Sequence, residues 1–317
     1  MASLSFAACS AGDGDDIPPG EALRQHPRTI HLTPDGRFIT TYLGSGKDDG
    51  SVVVSDLSSD GTVVMRDLPS TRDSGQRYAD LAGPSGAAMA PDGTVCVVIG
   101  DANKPGRGFN TMRCTDGLVV DLKAYEQANN PDGLEVVSNP YDIAWDGKES
   151  WLVSDAAANS VLRVTRAGEI AVAAVFPNFA PFVPGEGIPV GLTLVPTDAP
   201  DLSGGAVRQP FFPGGVLIAL HGGAVAGLEP DGTRNPLMVE GNTPGAIAVF
   251  ATPDALFVLS HSNADGAEGT GSIATYDGRV VVDGLDRPTG FVRLPDGRFM
   301  VAEDTADGRV RIVDPKK

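Results

Sequence analysis

The stretch DRPTGFVRLPDGRFMVAEDTADGRVRIVDP, residues 286–315, decides the fold of this 317-residue chain. It contains a proline, a short apolar run, a Pro-Asp-Gly turn, a second apolar run that ends in acidic residues, and a third apolar run. The stretch SNPYDIAWDGKESWLVSDAAANSVLRVTRAGE, residues 138–169, has nearly the same order of features. Because Asp-Gly between two apolar runs is a strong hairpin signal, each stretch predicts consecutive antiparallel strands.

The same unit recurs six times along the chain. Each copy starts with a proline shortly before an apolar run, and these prolines are Pro27, Pro84, Pro140, Pro189, Pro244 and Pro288. Successive prolines are separated by 57, 56, 49, 55 and 44 residues. Short antiparallel strands in groups of four at such a period are typical of a β-propeller blade. The sequence therefore predicts an all-β fold, a six-bladed β-propeller with four-stranded antiparallel blades.

The ends of the chain suggest how the ring closes. The last unit stops at Val313, one strand short of the others. We expect the residues before His26 to supply its outer strand and so to remove an exposed sheet edge. Residues 1–20 are interpreted as a leader and residues 21–317 as a single propeller domain. The segment DLKAYEQANN, residues 121–130, predicts one short helix or turn.

The charge balance limits the classes of partner. The chain has 41 acidic and 24 basic residues and a formal net charge of −17. Such a field repels phosphate backbones, which argues against nucleic acid and anionic membranes as partners. No apolar run approaches the roughly 20 residues that span a bilayer, so no transmembrane segment is expected. We expect a monomer that acts on a small-molecule substrate.

The cysteines and the start of the chain favour export. MASLSFAACSAGDGDD resembles the end of a bacterial lipoprotein signal, which would make Cys9 a lipid anchor in the precursor; a disordered leader is the alternative. Cys96 and Cys114 lie on two apolar runs around a Gly/Pro loop and are expected to oppose each other. They predict a disulfide, with two buried free thiols as the alternative. We expect a periplasmic, cell-surface or secreted protein.

Hairpin order predicts which face of the disc carries the function. The proline segments begin the innermost strands at one face, and the Asp-Gly turns lie at the other. The ends of the second strands return to the proline face, where most long connections also lie; the insertion 197–214 lies opposite and has no functional interpretation. The residues at the second-strand ends are Tyr42, Asp101, Asp155, His221, His261, Glu303 and Asp304. We expect them to meet at the mouth of the central channel.

These residue types predict a divalent metal site with Ca²⁺ favoured over Zn²⁺, because carboxylate and amide oxygens suit a hard cation. The expected metal ligands are Asp155, Asp101, Asp304, Glu186 and Asn159. The expected catalytic residues are His221, His261 and Glu303, and the expected substrate contacts are Asn103, Asn263, Asp142, Tyr42 and Tyr141. A second interpretation stays open, in which each acid or amide caps the turn that follows it. His26 is expected near the same rim and His31 within a strand.

Two groups of residues resemble known families. NPYDIAWDGKESWLVSDAAANSVLRVTRAGEI, residues 139–170, resembles the blade consensus of exported propellers of the gluconolactonase, NHL and scytonemin-associated type. The resemblance to gluconolactonases implies a central divalent metal held by Glu, Asn and Asp. IPVGLTLVP with GGVLIALHGG, and residues 286–313, resemble the later blades of pyrroloquinoline-quinone sugar and sorbosone dehydrogenases. That resemblance implies a bound quinone, for which the cationic candidates are Arg28, Lys104, Arg107 and Arg287.

We therefore expect a metal-assisted hydrolase of esters, lactones or phosphotriesters, in which His221 or His261 activates water at the channel mouth. A quinone-dependent sugar or aldose dehydrogenase is the first alternative. A non-catalytic exported propeller that binds a ligand on its rim is the second.

Overall fold

A computed structural model describes residues 24–72, 81–102, 108–176, 187–198, 213–229, 234–240, 245–253, 255–261, 269–305 and 308–316. The described residues form a six-bladed β-propeller, as the repeated unit predicted. Each blade is one antiparallel sheet whose strands follow one another in sequence order.

Blade 1 contains β1 (Pro27–Leu32), β2 (Phe38–Tyr42), β3 (Gly50–Ser55) and β4 (Thr62–Leu68). A small hairpin, β5 (Thr71–Arg72) and β6 (Leu81–Ala82), precedes blade 2, which contains β7 (Pro84–Met89), β8 (Val95–Ile99), β9 (Thr111–Cys114) and β10 (Val119–Asp121). Helix α1 (Leu122–Asn129) follows, and blade 3 contains β11 (Pro140–Trp145), β12 (Ser150–Asp155), β13 (Ser160–Thr165) and β14 (Ile170–Val175).

Blade 4 contains β15 (Pro189–Leu194), β16 (Val216–Leu220), β17 (Ala224–Leu228) and β18 (Arg234–Glu240). Blade 5 contains β19 (Ala246–Thr252), β20 (Ala255–Ser260), β21 (Gly271–Thr275) and β22 (Val280–Leu285). The described part of blade 6 contains β23 (Pro288–Arg293), β24 (Phe299–Glu303) and β25 (Arg309–Val313).

The first strand of every blade lies innermost and lines the central channel. These strands contact one another in order around the ring, and β23 of blade 6 contacts β1 of blade 1. The ring is therefore closed at the channel by the inner strands. The outer strand that the sequence predicted for blade 6 falls before residue 24, outside the described residues, and stays a prediction.

The core lies between blades rather than within one sheet. Val98 and Met112 of blade 2, for example, belong to one buried cluster with Ile143 and Val153 of blade 3. A blade has two apolar faces and no helix layer to cover them, so each face is buried against a neighbouring blade. This explains why the second strands are buried along their whole length in several blades.

The Asp-Gly turns connect the first two strands, as predicted. In blade 1 the N–H of Gly36 donates to the carbonyl of Thr33 at 2.9 Å, and Gly36 has φ 81°. Blade 2 repeats this geometry at Gly93, with φ 88°. A left-handed residue is needed there, and glycine adopts it without a steric penalty.

Hydroxyl groups connect neighbouring blades near the proline rim. Thr41 Oγ1 donates to the carbonyl of Ser85 in the next blade at 2.9 Å. Thr289 Oγ1 donates to the carbonyl of Pro27 at 2.9 Å and so links blade 6 to blade 1. Because these groups are buried, losing a partner would leave an unsatisfied polar atom, which costs about 1–3 kcal/mol.

Blades 2, 4 and 6 approach the next blade through a glycine at the third position of the inner strand: Gly86, Gly191 and Gly290. A Cβ on Gly191 would lie 2.6 Å from Ala248 Cα, and one on Gly290 would lie 2.8 Å from the backbone nitrogen of Ile30. Both contacts are too short for any side chain, so these glycines set the distance between inner strands.

The single predicted helix and the cysteine pair are both present. Asp121 caps α1 by accepting a hydrogen bond from the N–H of Ala124 at 2.8 Å, and Asn130 ends it in the left-handed conformation. Cys96 lies opposite Cys114 in the β8–β9 register, and the two sulfurs form a disulfide. Among the described residues, no helix is long and apolar enough to cross a membrane.

Candidate active site

Strand register aligns the proline rim blade by blade. The first residue of each inner strand lies opposite the last residue of the second strand, and in four blades that last residue is polar. These residues are Tyr42, Asp155, Ser260 and Glu303. They come from blades 1, 3, 5 and 6.

His221, His261 and Asp304 stand one position further along, in blades 4, 5 and 6. Each donates its backbone N–H to the carbonyl of the residue that directly precedes the inner strand of the same blade. The three bonds are His221 to Ile188 (2.9 Å), His261 to Gly245 (2.9 Å) and Asp304 to Arg287 (3.0 Å). The three side chains therefore leave equivalent points of consecutive blades.

The sequence predicted that the rim residues occupy the same position in successive blades, but the structure places them at different positions. Asp101 lies two residues beyond Ile99, which is the residue opposite the proline of blade 2. The predicted set thus covers three successive positions. Neighbouring residues at a strand end point in different directions, so only one subset can face the channel mouth.

Both carboxylate oxygens of Asp155 accept hydrogen bonds from residues next to its own blade. Its Oδ2 accepts a hydrogen bond from the Ser138 hydroxyl at 2.6 Å, and its Oδ1 accepts from the backbone N–H groups of Asn139 and Ala158 at 2.7 and 3.2 Å. Burial raises the pKa of Asp155, and these hydrogen bonds oppose the rise. The arrangement matches the turn-capping interpretation, and the role of Asp155 as a metal ligand stays a prediction.

Glu303 is likewise a structural residue of blade 6. Its Oε2 lies 2.6 Å from Arg309 Nε and 2.7 Å from Arg311 Nε, and its Oε1 accepts from the backbone N–H of Asp286 at 2.7 Å. Burial acts to raise the pKa of Glu303, but the hydrogen bonds from both arginines outweigh it and hold the pKa below its usual value. Glu303 therefore connects the strands of blade 6, and its catalytic role stays a prediction.

Asp101 and Asn159 also bond locally. Asp101 Oδ1 accepts a hydrogen bond from Asn110 Nδ2 at 2.7 Å, and Asn159 Nδ2 donates to Asp132 Oδ2 at 2.9 Å. Tyr42 is half-buried, and desolvation raises its pKa to about 12. Neither hydrogen bond brings Asp101 or Asn159 to the histidines of blades 4 and 5.

Asp142 lies deeper than predicted and bridges several blades. Its Oδ1 lies 2.8 Å from His31 Nε2 of blade 1, and its Oδ2 accepts from the backbone N–H of Leu192 in blade 4 at 2.8 Å. The bridge passes over Gly86 of blade 2, where a Cβ would lie 2.4 Å from Oδ1. Asp142 is only 2% exposed, so it holds inner strands together rather than facing the rim.

Seven side chains around the inner-strand ends form what we call the mouth site: His26, Arg28, Tyr141, His221, His261, Arg287 and Asp304. Arg28 and Tyr141 follow the rim prolines of blades 1 and 3, within a register shift of each inner strand. Such bulges redirect side chains. The Arg28 guanidinium lies 5.8 Å from the centre of the Tyr141 ring.

Asp304 is the acid of the mouth site. His26 Nδ1 lies 2.8 Å from Asp304 Oδ1, and Arg28 Nη1 lies 3.8 Å from Asp304 Oδ2, which is beyond hydrogen-bond reach. Oδ2 is buried and has no hydrogen-bond partner among the described residues. An unsatisfied buried carboxylate oxygen is costly, and such atoms are found where a protein binds or reacts.

The cations at the mouth site act on His261. Burial, and after it the charges of Arg28, His221 and Arg287, lower the pKa of His261 to about 4, while Asp304 opposes the shift. The imidazole of His261 is therefore neutral at neutral pH, with a nitrogen free of a proton.

Two residues of the mouth site have strained backbones. His26 and Arg287 precede the inner-strand prolines of blades 1 and 6 and have φ values of 55° and 47°. A left-handed conformation costs a residue with a side chain about 1–3 kcal/mol, and such strain is concentrated at functional sites. The sequence suggested roles for both residues but did not group them with the histidines of blades 4 and 5. Their shared position, directly before an inner-strand proline, is the sequence feature that relates them.

The described residues alone do not assemble the metal site that the sequence predicted. Among them, no three His, Cys, Asp or Glu side chains are grouped as metal ligands. Arg28 Nη1 lies 3.8 Å from Asp304 Oδ2, and its positive charge would compete with a metal ion for this carboxylate. The predicted ligand Glu186 and the predicted substrate contacts Asn103 and Asn263 lie outside the described residues, so the metal site stays a prediction.

The fold is similar to solved propellers, although no family model matches the chain and no curated protein matches it in sequence. A streptogramin B lyase structure is 14% identical over 93% of this chain and 95% of that chain, with a TM-score of 0.52. A candidate gluconolactonase is 11% identical over 93% and 91%, with a TM-score of 0.50. A protein of unknown function from Bacteroides thetaiotaomicron is 10% identical over 92% and 70%, with a TM-score of 0.53. At such identities the likeness establishes the fold alone.

Proposed function

We propose that the protein is a hydrolase of small esters or lactones and that the reaction takes place at the mouth site. The observation that carries the proposal is the neutral imidazole of His261 beside two guanidinium groups and a buried carboxylate. The imidazole nitrogen that carries no proton can accept one from water, and nearby cations stabilise the negative charge that develops on the carbonyl oxygen.

The side chains have complementary roles in this reaction. His261 takes a proton from water as the water oxygen bonds to the carbonyl carbon, and the C=O electrons move onto oxygen. The charge of Arg287 stabilises that oxyanion. When the carbonyl re-forms, the C–O bond to the alcohol breaks, and the alcohol oxygen takes the proton back from His261.

Asp304 and His26 position the water in this proposal. The unpartnered Oδ2 of Asp304 accepts one O–H of the water, while Oδ1 is fixed by His26 at 2.8 Å. The second O–H then faces His261. Orientation of this kind reduces the entropy that the reaction loses in its transition state. His221, which is exposed at the same rim position, is proposed to contact the leaving group.

The two named enzymes among the similar folds, a streptogramin B lyase and a candidate gluconolactonase, support a catalytic propeller without choosing the reaction. A base beside cations also serves elimination, which would release an alkene instead of adding water. Product analysis by mass spectrometry separates the two reactions. Hydrolysis makes the summed mass of the products about 18 mass units, one water, greater than the mass of the substrate, whereas elimination leaves it unchanged.

The test is turnover on a panel of lactones and esters by the wild type and the His261→Gln variant. We expect the variant to lose about 10²–10⁴-fold in kcat/KM, the usual contribution of a general base. Arg166→Gln is the control, because Arg166 pairs with Asp92 on the outer surface. Turnover by neither protein would overturn the proposal and leave a ligand-binding propeller. Loss on chelation, restored by Ca²⁺ or Zn²⁺, would support the metal that the sequence predicted.

A pyrroloquinoline-quinone sugar dehydrogenase is a second candidate, since Arg28 and Arg287 supply the charges that quinone carboxylates require. When bound, the quinone would accept two electrons from a sugar. Dye reduction by the protein mixed with quinone, Ca²⁺ and an aldose tests this candidate, and no dye reduction with any aldose contradicts it.

A further inference from the structure

We propose that the mouth site recognises a molecule that carries one carboxylate group, held by Arg28 against the Tyr141 ring. This inference rests on the proposed function in one respect: the carboxylate belongs to the ester or lactone that is hydrolysed.

Arg28 is paired less closely with carboxylates than six other described arginines are. Six described arginines lie within 3 Å of a carboxylate oxygen: Arg37, Arg163, Arg166, Arg298, Arg309 and Arg311. Arg28 approaches only Asp304, at 3.8 Å, and makes no hydrogen bond among the described residues. Its side chain is 25% exposed, so most of the group is out of water. A guanidinium with unused donors in a half-buried site is suited to an external acceptor.

The Tyr141 ring fixes how an acceptor meets Arg28. The ring centre lies 5.8 Å from the guanidinium carbon, within the range of a cation–π contact. A ring at one face of the guanidinium leaves its edge for hydrogen bonding. That edge offers two parallel N–H groups, which match the two oxygens of a carboxylate.

The local charge points to a single negative charge on the ligand. Arg28 and Arg287 contribute two positive charges, and Asp304 contributes one negative charge. The surroundings are acidic, since the whole chain carries −17. One carboxylate balances the single net positive charge of these three groups, whereas the second charge of a dianion such as phosphate would have no cation to balance it and would face Asp304 and the acidic chain.

Calorimetric titration tests the inference without requiring turnover. Benzoate is the probe, benzamide is its neutral counterpart of the same shape, and inorganic phosphate is the dianion. We expect wild-type protein to bind benzoate at least 10-fold more tightly than benzamide or phosphate at low salt. We expect Arg28→Gln to weaken benzoate binding at least 10-fold and Arg28→Lys to weaken it less, since Lys keeps the charge but loses the two-point contact.

Arg166→Gln is the matched control, because Arg166 also lies over an aromatic ring, 4.6 Å from the centre of Trp145, and pairs with Asp92. It should bind benzoate as the wild type does. Equal affinity for benzoate and benzamide, or wild-type benzoate affinity in Arg28→Gln with a wild-type melting temperature, overturns the inference.

The outcomes separate this inference from the proposed hydrolysis. Arg28-dependent benzoate binding without ester turnover supports carboxylate recognition and removes the hydrolase. Arg28-dependent binding of pyrroloquinoline quinone, which carries three carboxylates, together with sugar oxidation would overturn the single-charge inference and support the quinone dehydrogenase instead. Ester turnover that is equally fast on charged and neutral substrates, and unchanged in Arg28→Gln, supports the hydrolase and removes carboxylate recognition.

Discussion

His26 and Asp304 are 278 residues apart in sequence, yet their side chains meet at 2.8 Å and join the first blade to the last. Both ends of the described chain therefore contribute to the mouth site. Because the same contact lies at the closure of the ring and beside His261, the completed ring is a condition for the site. The mouth site thus depends on contacts between blades rather than on one blade.

Replacing Asp304 by Asn should lower activity far more than stability. The amide keeps the shape and still accepts from His26, but it loses the charge that orients water, so we expect kcat/KM to fall about 10²-fold. Steady-state kinetics on the best ester of the panel measures the effect. Asp92→Asn, which breaks the surface pair with Arg166, should remain as active as the wild type. Unchanged activity in Asp304→Asn would contradict the assigned role.

The His31–Asp142 bridge should make stability depend on pH. Burial acts to lower the pKa of His31, but the charge of Asp142 and the hydrogen bond to it outweigh burial and raise the pKa. The folded protein then binds the proton more tightly than the unfolded chain. The stabilisation, about 1–2 kcal/mol, is full below the usual pKa of about 6.5 and is lost as pH rises through the higher folded value.

Chemical denaturation of the wild type and His31→Gln at pH 6 and pH 9 measures this difference. We expect the stability gap between the two proteins to be larger at pH 6. A gap that is equal at both pH values, or larger at pH 9, would show that the bridge is not charged.

Gly191→Ala should destabilise the ring. The new Cβ would lie 2.6 Å from both Ala248 Cα and the Ile247 carbonyl oxygen, which are backbone atoms and cannot move aside alone. We expect a loss of about 3 kcal/mol in the free energy of unfolding. Gly93→Ala is the comparison, since Gly93 has open space and φ 88°, and should lose only about 1–2 kcal/mol from strain. Equal losses would mean that interblade distance is not set at this glycine.

The Cys96–Cys114 disulfide should stabilise blade 2 in an oxidising compartment. It closes a loop with a sequence separation of 18, worth about 3 kcal/mol on the chain-entropy account. A thiol count on unfolded, unreduced protein should find one reactive thiol, Cys9, of the three cysteines. Added reductant should lower the melting temperature. Three reactive thiols and no melting shift would contradict the bond and weaken the prediction of export.

The sequence predicted the fold well because blades are local. Four features could be predicted because each depends on residues that are close in sequence. They are the interval between prolines, the Asp-Gly hairpins, the innermost first strands and the opposed cysteines. Helix α1 was predicted for the same reason, since its Asp121 and Asn130 caps are adjacent to it.

The site was predicted less well because it depends on contacts between blades. The sequence brought His221, His261 and Asp304 to the rim, but it could not distinguish them from Asp155 and Glu303, which lie one register position away. The hydrogen-bond partners that distinguish the two groups of residues belong to other strands and loops. The His31–Asp142 bridge was missed because it crosses an intervening blade over Gly86, and no periodicity in the sequence encodes such a crossing.

The pH dependence of kcat/KM for a neutral ester, which has no titratable group of its own, tests the central claim most directly. Because the pKa of His261 is lowered to about 4, the base stays unprotonated across the neutral and mildly acidic range. We expect a plateau that continues well below pH 6 and falls near pH 4, and we expect the residual activity of His261→Gln to lack that fall. A wild-type profile that falls near pH 6.5, or a His261→Gln variant with wild-type activity, would contradict the assignment of His261 as the base.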